Sequence, residues 1–178
     1  MTEQPAQTRR VVLYGNPVLR QKASEVSELD DGFRQLLADL KKTMQEKDGL
    51  GLAANQVGLP VAVFAYDPRG AGVDGEPFCV INPRVVATEG RVEKEEGCLS
   101  IPGVYEVVPR PELVRLTGVD EEGRPVEREV TGLLARAFMH ETDHLAGRLF
   151  IDLVSDLRRQ LLADRLREIE EMERRSCA

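Results

Sequence analysis

GLLARAFMHETDHLAG, residues 132–147, contains both histidines of a 178-residue chain. The stretch reads as a helix that starts near Thr131 and stops at Gly147, where glycine accepts the backbone angles that end a helix. At about 100° per residue, His140 and His144 lie about 40° apart, one turn above the other, so two imidazoles can reach one ion. Glu141 falls about 100° from His140, too far round to share that ion easily but near enough to act on a water beside it. This is the HExxH arrangement of metallohydrolases, in which the glutamate is the general base. Spacing alone does not exclude two structural histidines. That the only histidines of the chain form the pattern favours the metal. Leu133 and Ala137 fall on nearly the same face as His140 and predict an apolar wall beside it, although core packing accounts equally well for each singly.

Outward from this helix, SELDDGFRQLLADLKKTMQEKDG (27–49) places Phe33, Leu36, Leu37, Leu40 and Met44 on one stripe and predicts a first helix ended by Gly49. GLGLAANQVGLP (49–60) reads as a loop. VAVFAY, FCVINPRVVA and RVEKEEG read as strands, and LVRLTGVD and RPVEREV as a hairpin closed by EEG. A third helix starts at the Ser155-Asp156 cap and carries Leu157, Leu161, Leu162, Leu166, Ile169 and Met172 at helical spacing. Strands clustered between helices predict an α+β fold: mixed, largely antiparallel sheets packed around the central helix that carries HExxH, with a C-terminal helix. Residues 1–178 read as one catalytic domain, with 1–8 flexible and the helix over 155–175 packed on the domain.

Composition narrows the function classes. Hydrophobic content of 42% with 31% charged residues is that of an ordinary globular chain, long enough to bury about 70% of its unfolded surface. No apolar run is long enough to span a membrane, and MTEQPAQTRRVVLYG lacks the apolar core of a secretory signal, so the expectation is a cytoplasmic protein with no membrane partner. A net charge of -7 gives no overall attraction to DNA. The odd set Cys79, Cys98 and Cys177 argues against a disulfide framework. Cys79 sits in an apolar run and reads as a buried hydrophobe, and Cys177, next to the end, as disordered.

Two imidazoles hold an ion poorly, and catalytic sites of this kind have three protein ligands and one open position. A third histidine six residues after the second would fall at Phe150, which excludes that pattern. Asp164, Glu168 and Glu170 of the third helix are available carboxylates, more simply read as a solvated face. Cys98 is the better candidate: in EEGCLS it follows Gly97, whose backbone freedom can present the thiol sideways at a strand end. Glu96 reads either as a carboxylate paired with Arg110 or Arg136, or as an exposed strand-end charge.

GLGLAANQ (49–56), EGCLS (96–100) and HETDHLAG (140–147), in this order, make the chain similar to peptide deformylases, a resemblance that extends over nearly its whole length. It departs from the family at Met139, where many members carry glutamine, and at Thr142, often apolar. The resemblance implies removal of the formyl group from the N-terminal formyl-methionine of new polypeptides. It implies one divalent ion held by Cys98, His140 and His144, with Fe²⁺ in the cell and Zn²⁺ or Ni²⁺ able to replace it. It implies that Glu141 handles protons, that Gln56 and the Leu99 N–H bond the formyl oxygen, and that Gly51 binds the peptide backbone. Leu50, Gly97, Leu133 and Ala137 would then line the substrate site, where a flexible methionine side chain suits an apolar pocket. Ribosome contact near the exit tunnel is a further expectation. Two other readings stand beside this one: a metallopeptidase taking its third ligand from the last helix, and a metal-binding or ribosome-associated module without turnover.

Overall fold

The computed structural model describes residues 5–176. Helix α1 (Asp31–Glu46) is capped by Asp30, whose side chain accepts the Phe33 N–H. Then come β1 (Gly51–Ala53), a 3₁₀ turn over 54–57, β2 (Val63–Tyr66), β3 (Phe78–Glu89), β4 (Val92–Cys98), β5 (Ile101–Arg110), β6 (Leu113–Val119) and β7 (Pro125–Thr131). Helix α2 (Gly132–Leu145) carries the histidine pair, and α3 (Asp156–Leu161) and α4 (Ala163–Ser176) end the described chain. The strands form a five-stranded antiparallel sheet in the order β1-β2-β3-β6-β7 and a separate β4-β5 ribbon. The class is α+β, as expected.

The sheet is sandwiched between two helices, and β2 shows how. Its side chains alternate: Val63 and Ala65 join Leu36, Leu37, Leu40 and Met44 of α1, while Phe64 and Tyr66 join Leu134, Ala135 and Phe138 of α2. All four residues of β2 are buried, which is why this strand reads as a continuous apolar run. Phe138 packs edge-on against Phe64 and Tyr66, with ring centroids 5.4 and 4.8 Å apart. Each such ring contributes about 1.5–3 kcal/mol through burial, so α2 is fixed firmly against the sheet.

Several expectations change. GLGLAANQ is not a loop throughout: Gly51, Leu52 and Ala53 pair with Tyr66, Ala65 and Phe64, and Leu52 and Ala53 are fully buried. IPGVYEVVPR (101–110), read as no element, is β5; its prolines fit because the ribbon has only two strands, leaving a free edge on each. The helix over 155–175 is two helices meeting at Leu162. Leu157 and Leu161 point away from the face of Leu162, Leu166 and Ile169; the first two are 67% and 70% exposed, while Leu166 and Ile169 are buried. Of the segment 1–8, residues 1–4 lie outside the described ones, as does Cys177. Within it, the Gln7 N–H donates to Asp39 Oδ1 at 2.8 Å and the Thr8 hydroxyl to Glu46, both on α1. Cys79 is buried, and burial pushes its thiol far above the ordinary cysteine range, outside useful reactivity.

Candidate metal centre and active site

Two elements meet at one point. Helix α2 supplies His140 and His144, whose Nε2 atoms lie 3.1 Å apart, and the end of β4 supplies Cys98, with Sγ 3.3 Å from His144 Nε2. The three donor atoms all lie within 4.8 Å of one another. Tetrahedral coordination with metal–N of about 2.05 Å and metal–S of about 2.3 Å puts N···N near roughly 3.3 Å and N···S near roughly 3.6 Å. The His140–His144 and Cys98–His144 separations fall close to those values, so the donor set fits one divalent ion.

Cys98 reaches this point through a register shift in the β4-β5 ribbon: Gly97 pairs with Tyr105, but Cys98 pairs with Ile101. Gly97 contributes by its missing Cβ and not by a left-handed backbone. A Cβ there would lie 2.6 Å from the Tyr105 ring. Gly147, by contrast, has φ +74 and closes α2 so tightly that a Cβ would lie 2.5 Å from the Arg20 carbonyl oxygen.

Behind the histidines lies a buried ionic network. Glu96 is 6% exposed, which settles its two readings in favour of the paired carboxylate. Arg110 grips it through Nε to Oε2 at 3.0 Å and Nη2 to Oε1 at 2.7 Å, and Arg136 Nη1 donates to Oε2 at 2.9 Å. Glu96 Oε1 lies 2.6 Å from His140 Nδ1, so the imidazole donates there and turns its Nε2 lone pair to the common point. Arg110 also reaches Asp143 Oδ2 at 2.6 Å, and Arg148 reaches Asp143 Oδ1 at 2.7 Å. Burial favours protonation of Glu96, but the hydrogen bonds from His140 and Arg110 outweigh it and hold the carboxyl well below the ordinary range. Sequence reasoning does not find Asp143 or the double use of Arg110. The only signal is an aspartate inside the histidine motif.

Glu141, Gln56 and Leu99 line one cleft of about 440 Å³ with Cys98 and His140. Leu50, Gly51, Gly97, Leu133 and Ala137 line the same cleft, so each residue expected at the substrate site is at its wall. His144 is the exception and lies beneath, 1% exposed. Leu133 is half exposed at the cleft, a position that packing of the core does not explain. Glu141 is buried, its Oε2 has no hydrogen-bond partner among the described residues, and burial pushes its carboxyl up to about 7. A carboxylate of that kind is suited to take up and release a proton, and a neighbouring cation lowers its value again. Gln56 is held by the cap of its own 3₁₀ turn: Oε1 accepts the Ala53 N–H at 3.0 Å, leaving Nε2 to donate. The carboxylates of the last helices lie elsewhere. Asp164 and Glu168 are exposed and paired with Arg167 and Arg165, and Glu173 accepts from Arg10, Asn16 and the Leu13 N–H.

Residues 8–160 match the family model described as polypeptide deformylase. The chain is 42% identical over 159 residues to a peptide deformylase of Alkalilimnicola ehrlichii, covering 89% of each, and 44% identical over 169 residues to one of Fusobacterium nucleatum, covering 93% of this chain and 95% of that one. Among solved structures, the peptide deformylase of Legionella pneumophila superimposes with a TM-score of 0.87 at 35% identity, covering 95% of this chain and 99% of that one. That of Thermus thermophilus gives 0.86 at 39% identity, covering 93% and 99%. With a motif match over most of the chain, the same fold in solved relatives and a Cys/His/His donor set at the cleft, this chain belongs to the polypeptide deformylase family.

Proposed function

We propose that the chain removes the formyl group from N-terminal formyl-methionine with one divalent ion held by Cys98, His140 and His144, and with Glu141, Gln56 and Leu99 as the working groups. The observation that carries this is the convergence of one thiol and two imidazoles on the cleft that Glu141 and Gln56 also line. A divalent ion bound there supplies Lewis acidity, acidifying water and polarising a carbonyl oxygen. Glu141 takes the proton of the attacking water and passes it to the departing amine, so formate and a free N-terminus leave. As the formyl carbon becomes tetrahedral its oxygen gains negative charge, which Gln56 Nε2 and the Leu99 N–H stabilise. Gly51 gives the peptide backbone close approach, and Leu50, Gly97, Leu133 and Ala137 form the wall for the methionine side chain.

Fe²⁺ is the ion in the cell, and Zn²⁺ or Ni²⁺ can replace it; a mixed thiolate and imidazole set suits all three. The substrates are nascent chains in the cytoplasm, met near the ribosomal exit tunnel. No helix among the described residues is long and apolar enough to cross a membrane. The test is a formyl-Met-Ala-Ser assay with metal analysis on the same preparation. Glu141→Ala should keep its metal and lose nearly all turnover; full activity in that variant would refute the assigned role. Air should inactivate an iron-loaded sample faster than a nickel-loaded one, and equal decay would count against ferrous chemistry.

A further inference from the structure

We propose that Ser100 is a positioning residue for Gln56, its hydroxyl fixing the carboxamide so that one N–H stays turned toward the reacting oxygen. The inference rests on the role of Gln56 proposed above.

A carboxamide NH₂ has two protons and one rotatable bond to spend them on. In Gln56 the oxygen is fixed by the Ala53 N–H at 3.0 Å, and Nε2 donates to Ser100 Oγ at 3.2 Å. The remaining direction from Nε2 faces Cys98 Sγ at 3.6 Å, the side on which the cleft opens. A neutral N–H to sulfur at that distance is weak, so this proton is available to a substrate oxygen, whereas the one on Ser100 is committed. Gln56 and Ser100 are 1% and 0% exposed, so water does not compete for either.

Their backbones are held by a common strap. The Val12 N–H donates to the Gln56 carbonyl and the Tyr14 N–H to the Ser100 carbonyl, both at 2.8 Å. Two positions 44 residues apart in sequence are thereby tied to one short stretch, and the distance between hydroxyl and carboxamide is set before substrate arrives. Without the hydroxyl, the Ala53 N–H alone anchors the amide through its oxygen, and Nε2 can swing about that single anchor, which spoils orientation in the transition state more than substrate binding.

Ser100→Ala should lower kcat for formyl-Met-Ala-Ser roughly tenfold, the kinetic equivalent of one hydrogen bond, at unchanged KM and metal content. On a Gln56→Ala background the same substitution should change kcat less than twofold. Equal losses on both backgrounds would overturn the proposal and leave Ser100 a packing residue. A kcat for Gln56→Ala itself equal to wild type would instead overturn the parent reading. The wild-type protein gives a further reading that needs no variant to fold and no turnover. Of the two side-chain amide proton signals of Gln56, one should exchange slowly with solvent, as a bond to Ser100 requires; fast exchange of both would overturn the proposal.

Discussion

Gly51 has room for no side chain: a Cβ there would lie 2.6 Å from Glu141 Oε1 and 2.8 Å from its Cγ. Gly51→Ala is therefore expected to fold and keep its metal but to displace the Glu141 carboxylate, lowering kcat about 10²-fold, since misplacement by about 1 Å costs that much. Steady-state kinetics with metal analysis checks this. Gln56→Ala should lower kcat by about 10²–10³ with a smaller change in KM, the usual effect of losing one oxyanion donor. Cys98, His140, His144 and Glu141 are legible from sequence as candidates because coordination and proton transfer, the roles proposed for them, restrict residue type and, on α2, helical spacing. Gly97 is legible as a special position but not for its actual reason, since its need for a bare backbone arises from Tyr105, which pairs with it across the ribbon. Ser100 gives no local signal and Asp143 only its place inside the histidine motif, because their partners are set by tertiary contacts.

At the scale of elements, α2 is pinned twice, by aromatic packing on the sheet and by the Glu96 network to the β4-β5 ribbon. Glu96→Ala leaves the guanidiniums of Arg110 and Arg136 buried without their carboxylate. It should destabilise the fold by about 3–5 kcal/mol and weaken metal binding about 10- to 100-fold, measured by denaturant unfolding and chelator competition. Gly147→Ala should cost at least about 1 kcal/mol from the left-handed backbone alone, and more from the Arg20 carbonyl. The helices α1 and α2 and most strands follow from apolar periodicity. Strand β5 is hidden by its prolines, and the break at Leu162 by two leucine stripes that together mimic one helix.

The whole molecule brings donors from a helix and a strand end, far apart in sequence, to one point, so an ion held there would couple metal binding to the fold. At free metal about 100 times Kd, binding adds about 2.7 kcal/mol. Stripping the metal should lower Tm by roughly 5–10 °C and abolish deformylation, and adding Fe²⁺ or Ni²⁺ should restore both. Overall class is readable from the order of elements; the sheet order and the sandwich by α1 and α2 are not, because pairing partners are chosen by packing. The central claim is that one thiolate and two imidazoles hold the ion, and X-ray absorption at the metal edge of the purified, metal-loaded protein tests it most directly. The account predicts one sulfur at about 2.3 Å and two imidazole nitrogens at about 2.0–2.1 Å; a first shell of nitrogen and oxygen alone would contradict it.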